Sequence, residues 1–139
     1  MNTSIEEVID LYLAKIENYD YLDYDETELL EELRPMMNSA ISKLFTIDVS
    51  IDWDTEEFSR ELTPIEQNII AYGLVEEFIS QKVNSIKVLE NHLAMKDYNL
   101  YSSANMLKQL QTALARAQSD VQYWETRLAW YNKAKNIKH

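Results

Sequence analysis

The stretch SANMLKQLQTALARAQSDVQYWETRLAWYNKA, residues 103–134, decides the architecture. Leu107, Leu110, Leu114, Ala117, Val121, Trp124, Leu128 and Tyr131 follow one another in it at spacings of three and four. That rhythm draws an apolar stripe along an α-helix, and a stripe kept without a miss marks a helix packed lengthwise on another. The predicted helix is roughly 48 Å long at 1.5 Å per residue, with Ser102 or Ser103 as its cap. A matching stripe lies upstream, where Leu62, Ile65, Ile69, Tyr72, Ile79, Val83 and Ile86 keep the same spacing, interrupted at Glu76. The break between the two, Lys96 to Tyr101, is short, so an antiparallel hairpin within the chain is expected. A seam between subunits is the other way to cover these residues.

The upstream rod opens at Thr63-Pro64-Ile65-Glu66. Thr63 caps, Pro64 occupies the first turn where its missing N–H is harmless, and Glu66 reaches back to complete the capping box. The rod is expected to run to about His92. Ile69 to Val75 is apolar on every side, which marks it as the most buried segment. Gly73 is the only glycine in the chain. A glycine inside a helix costs about 1 kcal/mol relative to alanine, so another helix is expected to cross closely there.

Working back to the N-terminus, Thr3 and Ser4 followed by Glu6 and Glu7 form a capping-box pattern. A first helix carrying Ile5, Val8, Ile9, Tyr12, Leu13 and Ile16 should end near Asn18. Residues 19–26, YDYLDYDE, have no apolar period and read as a loop. Its Tyr19, Tyr21 and Tyr24 either fold back on their own core or anchor a partner, since tyrosine buries much area at little entropic cost. Thr27 is the expected cap of a second helix carrying Leu29, Leu30, Leu33, Met36, Met37, Ala40, Ile41, Leu44 and Phe45, kinked or split at Pro35. Ile47, Val49, Ile51 and Trp53 then alternate with polar residues, the mark of an extended strand. No partner strand is evident, so this segment should lie over the helices or pair with another subunit, making Ile51 and Trp53 interface candidates.

Apolar residues make up 46% of the 139, and one glycine with two prolines is too little turn chemistry for a β fold. The expected class is therefore all-α: an elongated helical bundle with a long C-terminal helix and one extended or short β segment near 46–61. One domain is expected over 1–139, with an acidic part to residue 61, a helical hairpin over 62–134 and a tail over 135–139. There is no cysteine, which removes disulfides and thiol chemistry. The acidic start does not read as a secretory signal, and no run approaches the roughly 20 apolar residues of a membrane span. A soluble protein that stays in the compartment where it is made is expected.

The net charge of −11 is uneven: residues 1–66 hold 18 acidic and 4 basic side chains, residues 67–139 hold 6 and 9. Gripping DNA through its phosphates needs the opposite excess, so sequence-specific nucleic-acid binding is not expected. Either the acidic half is simply solvated, or like chains and other partners meet acidic face to basic face. The last ten residues combine Trp130 and Tyr131 with Lys133, Lys135 and Lys138. Lysines suit a helix C-terminus; the same group could also dock on an acidic partner.

Nothing points to catalysis, a cofactor or a metal. His92 and His139 have no partner at triad or ligand spacing. Asp52-x-Asp54-x-Glu56 begins like a calcium loop but places Glu57 and Thr63 where glycine and glutamate are required. One glycine cannot build a phosphate cradle.

From Leu62 to about Tyr131 the chain resembles head-to-tail connector proteins of long-tailed bacteriophages, the adaptor or head-completion class. The stretches that carry the likeness are LTPIEQNIIAYGLVEEFI (62–79), VNSIKVL (83–89) and KDYNLYSSANMLKQL (96–110). They show a leucine-x-x-x-glutamate helix start, an apolar run, a lysine-aspartate-aromatic break and a serine-x-alanine-asparagine cap. The resemblance implies a virion subunit in the neck, assembled in the host cytoplasm. It further implies a homo-oligomeric ring, commonly of twelve copies, beneath the portal protein. Such a ring extends the DNA channel and offers a platform for a tail or neck component. It would place Trp130 to His139 at the portal contact. The alternative from the residues alone is a small acidic regulatory protein that sequesters a basic partner.

Overall fold

The computed structural model describes residues 1–16, 24–94 and 101–137. In chain order these form α1 (Ile5–Lys15), α2 (Glu26–Ser42), β1 (Ile51–Asp52), β2 (Glu57–Phe58), α3 (Pro64–Ala94) and α4 (Tyr101–Ile137).

The hairpin of α3 and α4 is the frame. Val121 shares a groove with Gly73, and Leu128 shares one with Thr63 and Ile65, so the rods run antiparallel within one chain. Ala117, Val121 and Leu128 are buried, while Leu107, Leu110, Leu114 and Trp124 are half-buried. The predicted stripe is thus the packing stripe as far as Leu128. Tyr131 does not continue it but is exposed, because α3 begins at Pro64 and leaves little rod opposite that turn. With 37 residues, α4 is about 55 Å long. It starts at Tyr101, ahead of Ser102 and Ser103, so neither serine is the cap.

The start of α3 is built as the spacing predicts. Glu66 N donates to Thr63 Oγ1 (3.3 Å), and the Glu66 carboxylate accepts from Thr63 N (3.0 Å). The carboxylate also takes both ends of the Arg60 guanidinium, at 3.1 and 2.6 Å. The Arg60 hydrogen bond holds the Glu66 pKa below the ordinary glutamate range, ahead of burial, which acts the other way. Downstream, Ile69, Ile70, Ala71 and Leu74 are fully buried. They serve both α4 and the pair α1 and α2, which is why this part of α3 is apolar all round. The crossing predicted at Gly73 is α2: a Cβ on Gly73 would lie 3.3 Å from the Cβ of Ala40.

On the other side of α3, α1 inserts Ile5, Val8, Ile9 and Tyr12, all buried. Tyr12 meets Phe78 edge-on at 6.3 Å, and Lys15 Nζ sits 4.2 Å from the centre of the Tyr72 ring. Ser4 is the cap of α1, its N–H donating to the Glu7 carboxylate at 3.1 Å. The expected end near Asn18 lies outside the described residues. Thr3 has a different task from the capping foreseen for it. Its Oγ1 accepts from Leu62 N (2.7 Å), and its backbone bonds to Arg60 and Phe58.

Two expectations for α2 are corrected. Asp25, not Thr27, is the cap, accepting from Glu28 N at 2.8 Å; the shorter acid side chain just outside the helix reaches the free N–H better than a threonine inside it. Pro35 does not split the helix, which runs unbroken through it. Pro35 is exposed, so the carbonyl it leaves unpaired is open to water. The helix ends at Ser42, so Leu44 and Phe45 lie beyond it: Leu44 is buried and Phe45 points outward.

The alternating segment after α2 has a partner in its own chain, contrary to expectation. Ile51 pairs with Phe58 and Asp52 with Glu57 in an antiparallel ladder, and Ser4 bridges to Glu57 on the far side of β2. Asp52 Oδ1 accepts from Asp54 N at 2.9 Å, and Glu56 takes a positive φ of 56° to close the turn. Residues 57–60 hold a single large apolar side chain, the fully buried Phe58, so they carry no alternation to read.

Candidate functional site

The C-terminal part of α4 does two opposite things. Its inner face is bolted to the body. Glu125 is only 3% exposed, and one carboxylate oxygen accepts from Phe45 N (2.9 Å), Thr46 N (3.0 Å) and Thr46 Oγ1 (2.8 Å). A buried carboxylate without a cation is tolerable only when donors converge on it in this way. The bonds fix the turn after α2 against α4 and hold the Phe45 backbone where its ring cannot reach the core.

The outer face is aromatic, cationic and open. Phe45 is 73% exposed, Trp130 65%, Tyr131 62% and Tyr123 53%. Cations attend these rings: Lys133 Nζ lies 5.4 Å from the Trp130 ring centre, and the Arg127 guanidinium 5.7 and 5.8 Å from Tyr123 and Trp124. Arg127 also donates to the Tyr123 hydroxyl at 3.0 Å. Successive helical residues point about 100° apart, so Trp130 and Tyr131 face different grooves. Trp130 and Lys133 line one of about 350 Å³ with Phe45, Thr126 and Ala129. Tyr131 and Lys135 line another of similar volume with Ile65, Glu66 and Leu128. Exposed tyrosine and tryptophan rings beside an arginine guanidinium are residue types enriched in protein-binding hot spots.

The other sequence candidates divide. Trp53 is half-buried: its indole N–H donates to Asn38 Oδ1 at 3.3 Å, and the Arg34 guanidinium lies 5.1 Å from its ring. Ile51 is likewise half-buried and packed on the core. Both are occupied by their own chain, because the hairpin folds the strand back onto α2. Tyr24 is exposed at the rim of a cleft between α1 and α2. Tyr19, Tyr21, Lys138 and His139 lie outside the described residues. Phe45 was not foreseen as a surface residue, since its spacing from Ile41 fits a core position; only the end of α2 at Ser42 turns it out. Tyr123 sits one residue off the stripe, and that offset was readable.

A cleft of about 410 Å³ between α2, α3 and α4 is lined by Lys43, Glu76, Glu77, Gln118, Gln122 and Glu125. Two of its charged groups are committed to each other: Lys43 Nζ pairs with Glu77 at 2.6 Å, and Ser39 Oγ donates to the same carboxylate at 3.0 Å. The Glu77 hydrogen bond raises the Lys43 pKa, which keeps the ammonium charged. Among the described residues, every buried side-chain nitrogen and oxygen has a partner, and no three His, Asp or Glu side chains are grouped to hold a metal. No described helix is long and apolar enough to cross a membrane. The chain matches no known protein family, no curated protein and no solved structure.

Proposed function

We propose that this chain is a structural virion protein, a subunit of the connector ring that joins a phage head to its tail and extends the DNA channel below the portal. The observation that carries a binding role is the outer face of α4: large aromatic rings held in water by a helix whose inner face is bolted down. Leaving Trp130 and Tyr131 exposed wastes roughly 1.5–3 kcal/mol of burial for each large side chain, which a partner surface would recover.

The connector assignment itself is supported by the motif likeness over 62–110. The charge balance agrees with it, since an acidic wall lets packaged DNA slide where a basic one would hold it. In this reading the portal protein receives the C-terminal segment from Trp130 onward, with Tyr131 and Lys135 on the docking side. A neck or tail component meets the opposite end of the ring.

Co-sedimentation with portal rings tests the reading. Truncation after Ala129 is expected to abolish binding while circular dichroism keeps its helical signal, and the pair Tyr131→Ala and Lys135→Glu to weaken it at least tenfold. Unchanged binding by the truncated chain would remove the docking role. A regulatory protein that sequesters a basic partner is the second reading, favoured by the open carboxylates of α2. It predicts a small complex of fixed stoichiometry where the connector predicts a large closed assembly, and native mass spectrometry separates the two.

A further inference from the structure

We propose that the Phe45–Trp130 groove of one copy docks on the acidic first turns of α2 in a second copy, so that the chains join head to tail. This rests on the reading of the α4 outer face as a protein-binding surface, and it names the partner of one side of it.

The groove has a floor of small side chains at Thr126 and Ala129, aromatic walls at Phe45 and Trp130, and Lys133 at its edge; Arg127 follows Thr126 in the adjoining groove. Its occupant must bring apolar contact for the rings and negative charge for the cations. The first turns of α2 bring both. Asp25, Glu26, Glu28, Glu31 and Glu32 are exposed, and none is in an ion pair with a described residue. Leu29 and Leu30, half-buried beside them, add apolar area.

Geometry decides that the contact is between copies. The groove lies at the C-terminal end of α2, through Phe45, and the carboxylates lie at its N-terminal end. Ser42 stands fourteen residue steps beyond Glu28 along unbroken helix, about 21 Å at 1.5 Å per residue. A rigid helix cannot bring its own two ends together. Made once between two copies, the contact leaves one groove and one acidic turn open; it is then heterologous, and repeated around a closing rotation it builds a ring. Made twice about a two-fold axis it would close a dimer, so a chain carrying both thiols that stops at a covalent dimer would overturn the head-to-tail form.

The chain has no cysteine, so introduced thiols report the contact directly. Thr126→Cys and Glu28→Cys are made as separate single variants, mixed in equal amounts and mildly oxidised. The expected result is a covalent pair of one variant with the other, in excess over either homodimer, and a ladder of multimers from the chain carrying both thiols. Adding Phe45→Ala or Lys133→Glu to the Thr126→Cys chain should slow cross-linking at least tenfold. Glu31→Lys on the partner should restore the Lys133→Glu pair. Chance proportions of the three disulfide species, or rates indifferent to Phe45 and Lys133, overturn the proposal. The pair Tyr131→Ala and Lys135→Glu, which lies outside this groove and leaves Lys133 in place, separates the two readings. Cross-linking that survives this pair while portal binding fails supports both. Portal binding that survives it while cross-linking stays specific sinks only the portal contact.

Discussion

Replacing Gly73 with alanine sets two opposed effects of known size against each other. Alanine favours the helix by about 1 kcal/mol over glycine. Its new Cβ, however, would stand 3.3 Å from the Cβ of Ala40, several tenths of an ångström inside comfortable contact. Relief requires α2 to move, because the Cβ of Ala40 has no torsion of its own to turn it aside. That helix is held on both sides of the contact: Ser39 and Lys43 bond to Glu77, and the turn beyond is held by Glu125. Overpacking of a fixed contact costs about 1–3 kcal/mol, so Gly73→Ala is expected to destabilise the protein by about 1 kcal/mol net. In an Ala40→Gly background the clash is gone and the same substitution should stabilise by about 1 kcal/mol. The coupling between the two positions is then about 2 kcal/mol, well above the few tenths expected of independent sites. Urea unfolding followed by circular dichroism on the four proteins measures it, given equal slopes. Stabilisation by Gly73→Ala in the wild-type background, or additive effects, would refute the claim that α2 and α3 lie in rigid contact here.

Two further outcomes follow from side-chain geometry. Glu125→Ala strands the donors of Phe45 and Thr46 and should lower stability by about 2–3 kcal/mol; a cycle with Thr46→Val in the same urea assay should show non-additive losses, and strict additivity would mean that the hydroxyl does not share the carboxylate. For Glu66, folding depresses the pKa, so its contribution is present above the ordinary value of 4.5 and is lost as pH falls through the lower folded value. Glu66→Gln should therefore flatten the fall of the urea midpoint below that pH. The loss at neutral pH should be about 1 kcal/mol, since the Arg60 side chain is 41% exposed and water screens the pair, and an acid limb unchanged by the substitution would contradict the pairing.

Legibility followed the range of the interactions. The capping box at Thr63 and Glu66, the stripe from Leu107 to Leu128 and the close approach at Gly73 were all readable. Each is written in a repeat or in a residue whose cost demands a neighbour. The cap of α2 was misassigned by two residues because Asp25 and Thr27 are both competent caps and differ only in where the helix begins. The partner of β1 was missed because Phe58 is one apolar residue in a polar run. Its pairing depends on the chain reversal at Glu56 and on Thr3 closing the other edge. Glu125 gave no signal at all, since a glutamate on a helix reads as solvated until the turn after α2 is brought against it.

By itself, then, the sequence determined the helical class, the two long rods and the faces on which they meet, because those depend on periodicities of three and four residues along one chain. Which aromatic rings are left in water was decided only by the tertiary structure. Phe45 and Trp53 look alike as bulky residues near the end of an apolar run. One is turned out by the Glu125 carboxylate gripping its backbone, and the other is folded back onto Asn38 and Arg34, through contacts between residues far apart in the chain.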